Sequence, residues 1–206
     1  IILDPSCGVA SFLAEFVRAM HGQLPSQPSA SEDAWLQEIV SNSIVGIDKS
    51  ERMLRYALTN IAMFGIPASR LVLANSLSRE SKTINEQLIG KVGLIITNPP
   101  FGAEFSHQDT QSFKIAAEAP RGKLASECLF IERYLEWLRP GGQLLAIVPD
   151  SVLTNQGVFA RLREQIAPEV DIKSVVSLPH TAFGTSGTTT KTSILHLRKK
   201  QKRTNN

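Results

Sequence analysis

The chain has 206 residues, of which 42% are hydrophobic and 20% are charged. A chain of this length and composition is typical of one globular domain with a sizeable core. The longest apolar run, Val92 to Ile96, is far shorter than the roughly 20 residues of a membrane helix, and two cysteines can build neither a disulfide framework nor a cysteine metal site. The composition therefore excludes a membrane span and a disulfide scaffold, and it indicates a reduced, cytoplasmic protein without a bound metal.

The net charge of +3 is due to basic residues at the C-terminal end of the chain. Five of the 22 Lys and Arg side chains lie between Arg198 and Arg203, and the remaining residues carry slightly more acidic than basic groups. The rest of the chain therefore lacks the basic stripe that is typical of domains that bind duplex DNA. We predict one folded domain over residues 1–197 and a basic tail over residues 198–206.

Short β-rich runs alternate with helical patterns along the chain. Seven runs are predicted strands, and they are Ile1–Leu3, Ile44–Ile47, Leu71–Leu73, Leu94–Thr97, Leu144–Val148, Val175–Leu178 and Ser193–Leu197. Apolar residues at three- and four-residue spacing predict helices over Ser11–Met20, Glu51–Phe64 and Ser126–Leu138. This alternation indicates an α/β fold with a parallel sheet that is covered on both faces.

Three connections lack this rhythm. His21–Ser31 is rich in Pro, Ser and Gln, and Gly102–Lys123 is polar without a clear period, so both are predicted surface loops. Pro179–Lys191 is rich in Gly and Thr and has no helical period, so the last strand is expected to return antiparallel. The predicted fold is therefore an open α/β sandwich with a seven-stranded, mostly parallel sheet and an antiparallel last strand.

Ligands of open parallel sheets bind at the carboxyl ends of the strands, so the residues there are the candidate site. The first strand runs into Asp4-Pro-Ser-Cys-Gly-Val-Ala-Ser-Phe-Leu13, a turn of small residues that opens a helix and lets backbone N–H groups approach a ligand. Asp48 follows the second strand, where a carboxylate can accept hydrogen bonds from both hydroxyls of a ribose. Capping of the next helix is an equally good interpretation of Asp48. Asn75 follows the third strand and could address an adenine ring, although a turn-forming role is favoured for it.

The most distinctive segment is Asn98-Pro-Pro-Phe101, which directly follows an apolar strand. Consecutive prolines fix φ and contribute no N–H donor, so the carbonyl of Pro99 is a rigid acceptor beside the side-chain oxygen of Asn98. An exocyclic amino group could give one hydrogen to each acceptor, which leaves its nitrogen lone pair available for attack. Phe101 would stack on the attached ring.

Together these residues resemble the class I S-adenosylmethionine-dependent methyltransferases, and within them the adenine-N6 DNA methyltransferases of the type I modification-subunit kind. Residues Asp4–Leu13 look like the family's cofactor loop, and Asn98–Phe101 matches its catalytic motif without a change. Later segments are similar to its structural motifs, and they are Leu138–Gly142, Ile147–Asp150, Leu178-Pro179 with Phe183, and Lys191–Ile194. The likeness covers nearly the whole chain and implies a Rossmann-like class I methyltransferase fold.

The resemblance implies that residues 1–197 are an N-terminally truncated catalytic domain of a restriction-modification enzyme. This enzyme would transfer a methyl group from S-adenosylmethionine to the N6 amino group of adenine in DNA, after the base is flipped out of the duplex. The catalytic residues would be Asn98, Pro99, Pro100 and Phe101. The residues that bind the cofactor would be Asp4, Pro5, Cys7, Gly8, Ala10, Phe12, Asp48, Asn75 and Ser76. The implied partners are DNA, a specificity or target-recognition domain or subunit, and a restriction nuclease.

Two alternatives stay open. An Asn-Pro-Pro-aromatic segment serves any planar amino group, so RNA or a protein glutamine amide is an alternative substrate. Val9 and Ala10 stand where the family has Ser and Gly, and a methyl group at position 10 could crowd the cofactor. The second alternative is therefore a nucleic-acid-binding or assembly module that has lost catalysis. Binding of S-adenosylmethionine distinguishes an enzyme from such a module.

Overall fold

A computed structural model describes residues 1–80, 82–105, 110–118, 124–186 and 190–201 of the chain. The chain divides into two compact units, Ile1–Ser78 and Arg79–Asn206. No helix within these described ranges is long and apolar enough to cross a lipid bilayer.

The first unit is built from three parallel strands and three helices. Its strands are β1 (Ile2–Asp4), β2 (Ile44–Asp48) and β3 (Leu71–Leu73), and its helices are α1 (Ser11–His21), α2 (Ala30–Asn42) and α3 (Glu51–Ala62). The strands pair in the order β3-β2-β1, with Ile2 opposite Ile44 and Asp48 opposite Leu73. Their carboxyl ends therefore lie at one edge, and Asp4 and Asp48 are the last residues of their strands.

A cluster of buried apolar side chains from α1, α2, α3 and β2 forms the core of the first unit. On α3, the helical spacing buries Leu54, Ala57 and Ile61 as the sequence predicts, whereas Leu58 is 41% exposed. The helix begins after Ser50, whose side-chain oxygen accepts a hydrogen bond from a backbone N–H of the first turn. Burial of one apolar stripe, together with this cap, is the reason that the segment is helical.

The second unit contains six strands and five helices among its described residues. Its strands are β4 (Val92–Thr97), β5 (Glu104–Phe105), β6 (Leu124–Ala125), β7 (Leu138–Pro149), β8 (Val170–Ser177) and β9 (Thr192–Lys199), and its helices are α4 (Lys82–Leu88), α5 (Lys114–Glu118), α6 (Ser126–Trp137), α7 (Asp150–Thr154) and α8 (Val158–Ile166). Four strands pair in the order β4-β7-β9-β8, with β7 parallel to β4 and β9 antiparallel to both neighbours. The strands β5 and β6 form a separate antiparallel pair.

The seven strands β1–β4 and β7–β9 confirm the predicted α/β class, the mostly parallel arrangement and the antiparallel last strand. The strand β7 is longer than predicted and begins at Leu138, which lies opposite Val92. The segment Arg139–Gly142 forms an irregularity in this pair, since Leu94 lies opposite Gln143. A bulge built on Pro and Gly hides the start of a strand from an alternation pattern.

Several predicted boundaries differ from the structure. The predicted loop His21–Ser31 is shorter, because α2 begins at Ala30 with a reciprocal capping box between Ser29 and Glu32. The predicted polar loop over residues 102–123 contains β5 and α5, while its residues 106–109 and 119–123 lie outside the described ranges. The predicted tail over residues 198–206 begins inside β9, and its residues 202–206 also lie outside the described ranges.

Candidate active site

The turn after β1 is held by its own backbone and by the end of β2. The N–H of Cys7 donates to the carbonyl of Ile47 at 2.9 Å, and the N–H of Ala10 donates to the carbonyl of Cys7 at 2.7 Å. The N–H of Gly8 donates to Oδ2 of Asp48 at 2.9 Å. Gly8 has a φ of 54°, in the left-handed region that suits glycine, and a Cβ built on it would meet no atom within 4 Å. The turn therefore borders open space.

Asp48 accepts hydrogen bonds from backbone on both sides of the site, and the alternative interpretation that it caps α3 is wrong. Its Oδ1 accepts from the N–H of Ser50 at 2.8 Å and its Oδ2 accepts from Gly8. The cap of α3 is the hydroxyl of Ser50, which accepts from the N–H of Met53 at 3.3 Å. A carboxylate offers about four lone-pair positions, so each oxygen of this half-buried side chain can accept one more hydrogen bond.

Asp4, Pro5 and Ser76 complete the same corner of the first unit. Asp4 is 1% exposed, and its Oδ1 accepts from the N–H of Ser6 at 3.1 Å. The hydroxyl of the buried Ser76 donates to the carbonyl of Pro5 at 2.6 Å. Asn75 is exposed, and its Oδ1 accepts from the N–H of Leu77 at 3.1 Å, which is the turn-forming role. The structure thus joins Ser76 to the turn after β1, whereas it gives Asn75 a local function.

Ala10 is the residue immediately before α1 and has a φ of 62°, which an alanine adopts at a cost. It is completely buried and belongs to the core cluster of the first unit. The expectation that its methyl group could crowd the cofactor is not met, because no part of this side chain reaches open space. Val9, in contrast, is 39% exposed. Phe12 is half-buried on the first turn of α1.

Cys7 and Cys128 are both buried free thiols. Burial raises the pKa of the Cys7 thiol, and the nearby carboxylates of Asp4 and Asp48 raise it further. Burial, together with the charge of Glu127, raises the pKa of Cys128 to about 12. Both side chains therefore stay protonated at neutral pH and fill space in the core, since a nucleophile would need to be a thiolate.

The predicted catalytic segment follows β4 in the second unit. Thr97, the last residue of β4, is 1% exposed, Asn98 and Phe101 are half-buried, Pro99 is buried and Pro100 is exposed. The Oδ1 atom of Asn98 is buried and has no hydrogen-bond partner among the residues that the structure describes. An unpaired buried acceptor costs about 1–3 kcal/mol, and native proteins keep few of them. This atom is therefore available for a donor that a ligand supplies.

Two polar residues that the sequence analysis did not select contact this segment. Ser126 is fully buried, and its Oγ lies 3.2 Å from the carbonyl oxygen of Pro100. Glu127 is 5% exposed, and its Oε1 accepts from the N–H of Gly102 at 3.0 Å. The available signal was a Ser-Glu pair at the start of an apolar helix, where a carboxylate requires a partner.

Asp150 begins α7 and links the end of β7 to the start of β9. Its N–H donates to the carbonyl of Lys191 at 3.0 Å, and its Oδ1 accepts from the hydroxyl of Ser193 at 2.8 Å. The ammonium of Lys191 lies 3.6 Å from its Oδ2. Within the described part of the chain, no group of three or more His, Cys, Asp or Glu side chains is arranged to hold a metal ion.

The chain is similar to restriction-modification proteins. A family profile described as N-6 DNA Methylase matches residues 1–206. The Type II restriction enzyme and methyltransferase RM.BcgI of Heyndrickxia coagulans is 30% identical over 183 residues, which are 88% of this chain and 25% of that protein. The Type I restriction enzyme EcoEI methylase subunit of Escherichia coli is 28% identical over 201 residues, which are 97% of this chain and 38% of that protein.

The solved structures agree on the fold. The Type I restriction enzyme EcoKI M protein has a TM-score of 0.74 at 23% identity, over 97% of this chain and 39% of that one. A further match at a TM-score of 0.71 and 22% identity is a class I S-adenosylmethionine-dependent methyltransferase from Listeria monocytogenes, over 98% of this chain and 54% of that one. The chain spans 25% and 38% of the lengths of the two curated relatives. The N-6 DNA Methylase profile matches all 206 residues of the chain, so the chain belongs to the N-6 DNA methylase family.

Proposed function

We propose that the protein that contains this chain transfers a methyl group from S-adenosylmethionine to the N6 amino group of adenine in DNA. The observation that carries the proposal is the buried, unpaired Oδ1 of Asn98. It directly precedes two prolines, whose nitrogens have no hydrogen to compete for it. A buried acceptor beside backbone that lacks N–H donors is suited to an amino group, which is a pure donor when its lone pair is conjugated.

The proposed chemistry needs two neutral acceptors on one amino group. The Oδ1 of Asn98 and the carbonyl of Pro99 would each accept one N6 hydrogen. Two such hydrogen bonds favour a pyramidal nitrogen, because they draw the hydrogens out of the plane of the ring. The lone pair then attacks the methyl carbon, the bond from that carbon to sulfur breaks, and one N6 proton leaves afterwards to solvent. Alignment and hydrogen bonding account for most of the rate.

Phe101 supports the proposed substrate class. Its ring is half-buried, so one part is fixed by packing and another part is open to a flat ligand. Stacking of a base on an aromatic ring is worth about 1–3 kcal/mol. Such stacking can offset part of the cost of taking the base out of the duplex, which is a few kcal/mol. We infer that Pro100 stiffens the connection between Asn98 and this ring.

The residues of the first unit fit the proposed cofactor. S-adenosylmethionine supplies an electrophilic methyl group when it is bound. Asp48 has spare acceptor positions for ribose hydroxyls, and the space beside Gly8 is open. The buried residues Asp4, Pro5, Cys7, Ala10 and Ser76 would hold the turn in shape, and the half-buried Phe12 would line the cofactor beside it. The Oδ1 of Asn75 is used in its own turn, so the Nδ2 group of this amide would bind the adenine ring of the cofactor.

The proposed partners are DNA, a specificity or target-recognition domain or subunit, and a restriction nuclease. The relatives support this inference by name, since one is a methylase subunit and another is a restriction enzyme and methyltransferase. Both relatives are more than twice as long as this chain, which leaves room for such functions elsewhere in the protein. In this proposal the catalytic domain includes the whole of β9, up to Lys199.

The experiment uses the full-length protein that contains this chain, together with labelled S-adenosylmethionine. DNA of mixed sequence, RNA and a glutamine-containing peptide are offered in parallel, and the labelled products are digested and identified. We expect label in N6-methyladenine from DNA with the wild-type protein, and none with Asn98→Ala. A control variant, Asn155→Ala, removes an exposed asparagine side chain and is expected to keep full activity. Label in RNA or peptide alone would contradict the proposal.

A further inference from the structure

The helix α6 begins with two buried polar residues that neither the fold nor the proposed chemistry explains. Ser126 is fully buried and Glu127 is 5% exposed. Taking a carboxylate out of water costs several kcal/mol unless hydrogen bonds compensate for it. A core helix could carry apolar side chains at both positions, so the partners of these two residues indicate why they are polar.

Among the described residues, the partners of these two side chains and of the Ser126 N–H lie, with one exception, in the stretch that directly follows Pro99. The Oε1 atom of Glu127 accepts from the N–H of Gly102 at 3.0 Å, and the Oγ of Ser126 lies 3.2 Å from the carbonyl oxygen of Pro100. The N–H of Ser126 donates to the carbonyl of Ala103 at 2.8 Å. The exception joins the pair itself, since the Oγ of Ser126 lies 3.0 Å from Oε2 of Glu127.

These contacts fix the torsions that the prolines leave free. The rings of Pro99 and Pro100 set φ at these two positions, so ψ of Pro100 and the φ and ψ of Phe101 decide how the peptide planes on either side of Phe101 are turned. The single hydroxyl hydrogen of Ser126 is shared between the carbonyl of Pro100 and Oε2 of Glu127, and it restrains the plane before Phe101. The N–H of Gly102 donates to Oε1 of Glu127, which fixes the plane after Phe101. Gly102 has a φ of 73°, in the left-handed region, so the chain changes direction immediately after Phe101. The start of α6 thereby fixes the backbone on both sides of Phe101.

We propose that Ser126 and Glu127 are positioning residues for methyl transfer. They act through the backbone of residues 100–103 and fix the direction of the Pro99 carbonyl and of the Phe101 ring. The inference rests on the proposed function, because a rigid acceptor matters only if an amino group is held there. A displacement of about 1 Å at a reacting group can cost about 100-fold in rate.

A second carboxylate on the same helix offers a comparison. Glu132 is 4% exposed and accepts from the N–H groups of Lys114 and Ile115, at 2.7 and 2.9 Å. Glu132 therefore accepts hydrogen bonds from the backbone at the start of α5, as Glu127 does from the backbone after β4. Helix α6 uses buried carboxylates to hold backbone at two places, and only the contacts of Glu127 and Ser126 reach residues 100–103.

The test compares variants of the full-length protein in single-turnover methyl transfer to adenine-containing DNA. Glu127→Leu keeps the size of the side chain and removes the acceptor, so we expect the rate to fall about 10- to 100-fold while the Kd for S-adenosylmethionine stays the same. Glu127→Gln keeps an oxygen for Gly102, and its amide can donate to the Ser126 hydroxyl. We expect it to restore the wild-type rate. Ser126→Ala is a smaller change with an expected loss of about tenfold, and it keeps the proposal testable if Glu127→Leu does not fold.

A matched control lies at the opposite end of the same helix. The ammonium of Lys199 donates to the carbonyls of Leu135 and Leu138, at 2.5 and 2.9 Å. Lys199→Met removes both hydrogen bonds and is expected to lower the melting temperature without slowing the single-turnover rate. A merely structural role for Glu127 predicts the same behaviour for Glu127→Leu, so an unchanged rate in that variant would overturn the proposal. Equal losses in Glu127→Leu and Glu127→Gln would also overturn it.

Asn98→Ala separates this inference from the proposed function. If Asn98→Ala is inactive while Glu127→Leu and Ser126→Ala retain the wild-type rate, only the positioning role is wrong. If Asn98→Ala itself transfers methyl groups at the wild-type rate, the proposed function fails and the positioning role fails with it. The expected pattern is an inactive Asn98→Ala, slow Glu127→Leu and Ser126→Ala, and a restored Glu127→Gln.

Discussion

The backbone N–H of Gly8 donates to the carboxylate of Asp48 at 2.9 Å, across 40 positions of sequence. One hydrogen bond thus joins the turn after β1 to the end of β2. The other oxygen of this carboxylate accepts from the N–H of Ser50, just before α3. The same side chain therefore shapes the turn and offers its remaining lone pairs to a ligand, so structural and binding roles coincide in one residue.

Replacement of Asp48 by asparagine should weaken both roles. An amide has one oxygen, so either Gly8 or Ser50 loses its acceptor, and we expect a loss of about 1–2 kcal/mol in the free energy of unfolding. Loss of a charged acceptor should also raise the Kd for S-adenosylmethionine about tenfold or more. Calorimetric titration and urea unfolding of the full-length protein measure the two effects. Asp171→Asn, at an exposed ion pair with Arg198, serves as the control, and equal Kd values for both variants would refute the role of Asp48.

Ala10 tests whether the cofactor turn has degenerated. Because its methyl group is buried in the core, Ala10→Gly should leave the Kd for S-adenosylmethionine unchanged. The free energy of unfolding of Ala10→Gly should differ from that of the wild type by less than about 1 kcal/mol, because glycine adopts the left-handed backbone more easily and this gain offsets the lost methyl group. Ala10→Val places a branched side chain at a positive φ in a packed core and should cost about 1–3 kcal/mol. A Kd that improves strongly in Ala10→Gly would instead support a turn that has lost cofactor binding.

Gly142 should tolerate no side chain. A Cβ there would lie 2.8 Å from the carbonyl oxygen of Val92 and 2.9 Å from that of Arg139, both of which are backbone atoms. We expect Gly142→Ala to lower the free energy of unfolding by about 1–3 kcal/mol. Gly22→Ala is the matched control, since its nearest contacts are at least 3.5 Å away and its φ is −67°. Equal stability of the two variants in urea unfolding would contradict the packing of the β4–β7 pair.

The two thiols should react only when the protein unfolds. Both are buried with a raised pKa, so a disulfide reagent at pH 8 should titrate no thiol in the folded chain and both in urea. The raised pKa values add stability that is complete below the ordinary thiol value of about 9. This stability is lost as the pH rises above that value, because the unfolded thiols ionise first. Rapid reaction of Cys7 in the native protein would show that the turn after β1 is open.

Much of the fold follows from sequence patterns that act locally. The spacing of Leu54, Ala57 and Ile61 predicts the buried face of α3, and the alternation of strands and helices predicts the parallel sheet. The helix α2 is not evident from its apolar pattern, because its apolar residues are not confined to one face: Trp35 is 56% exposed, whereas Leu36 and Val40 are buried. The Ser29 and Glu32 capping box is the sequence signal that marks its start. The irregular start of β7 depends on pairing with β4, which no local pattern contains.

The candidate site was predictable where the side chain of a single residue indicates the role of that residue. Asp48 and Asn98 were selected because a carboxylate and an amide at strand ends need a purpose, and the structure provides spare acceptors at both. The contacts of Glu127 with the backbone of Gly102 were not predictable, since they join residues that are 25 positions apart through a tertiary turn. The double role of Asp48 was also hidden, because its bond to Gly8 depends on strand pairing.

The central claim is that the Asn98 oxygen accepts a hydrogen bond from the amino group that is methylated. The most direct measurement is the single-turnover rate of methyl transfer to adenine in DNA, for the wild-type full-length protein and for Asn98→Ala, with the Kd for S-adenosylmethionine measured on the same samples. The account predicts N6-methyladenine as the product, a rate that falls about 100- to 1,000-fold in the variant, and an unchanged Kd. Transfer to adenine at the wild-type rate by Asn98→Ala would contradict it.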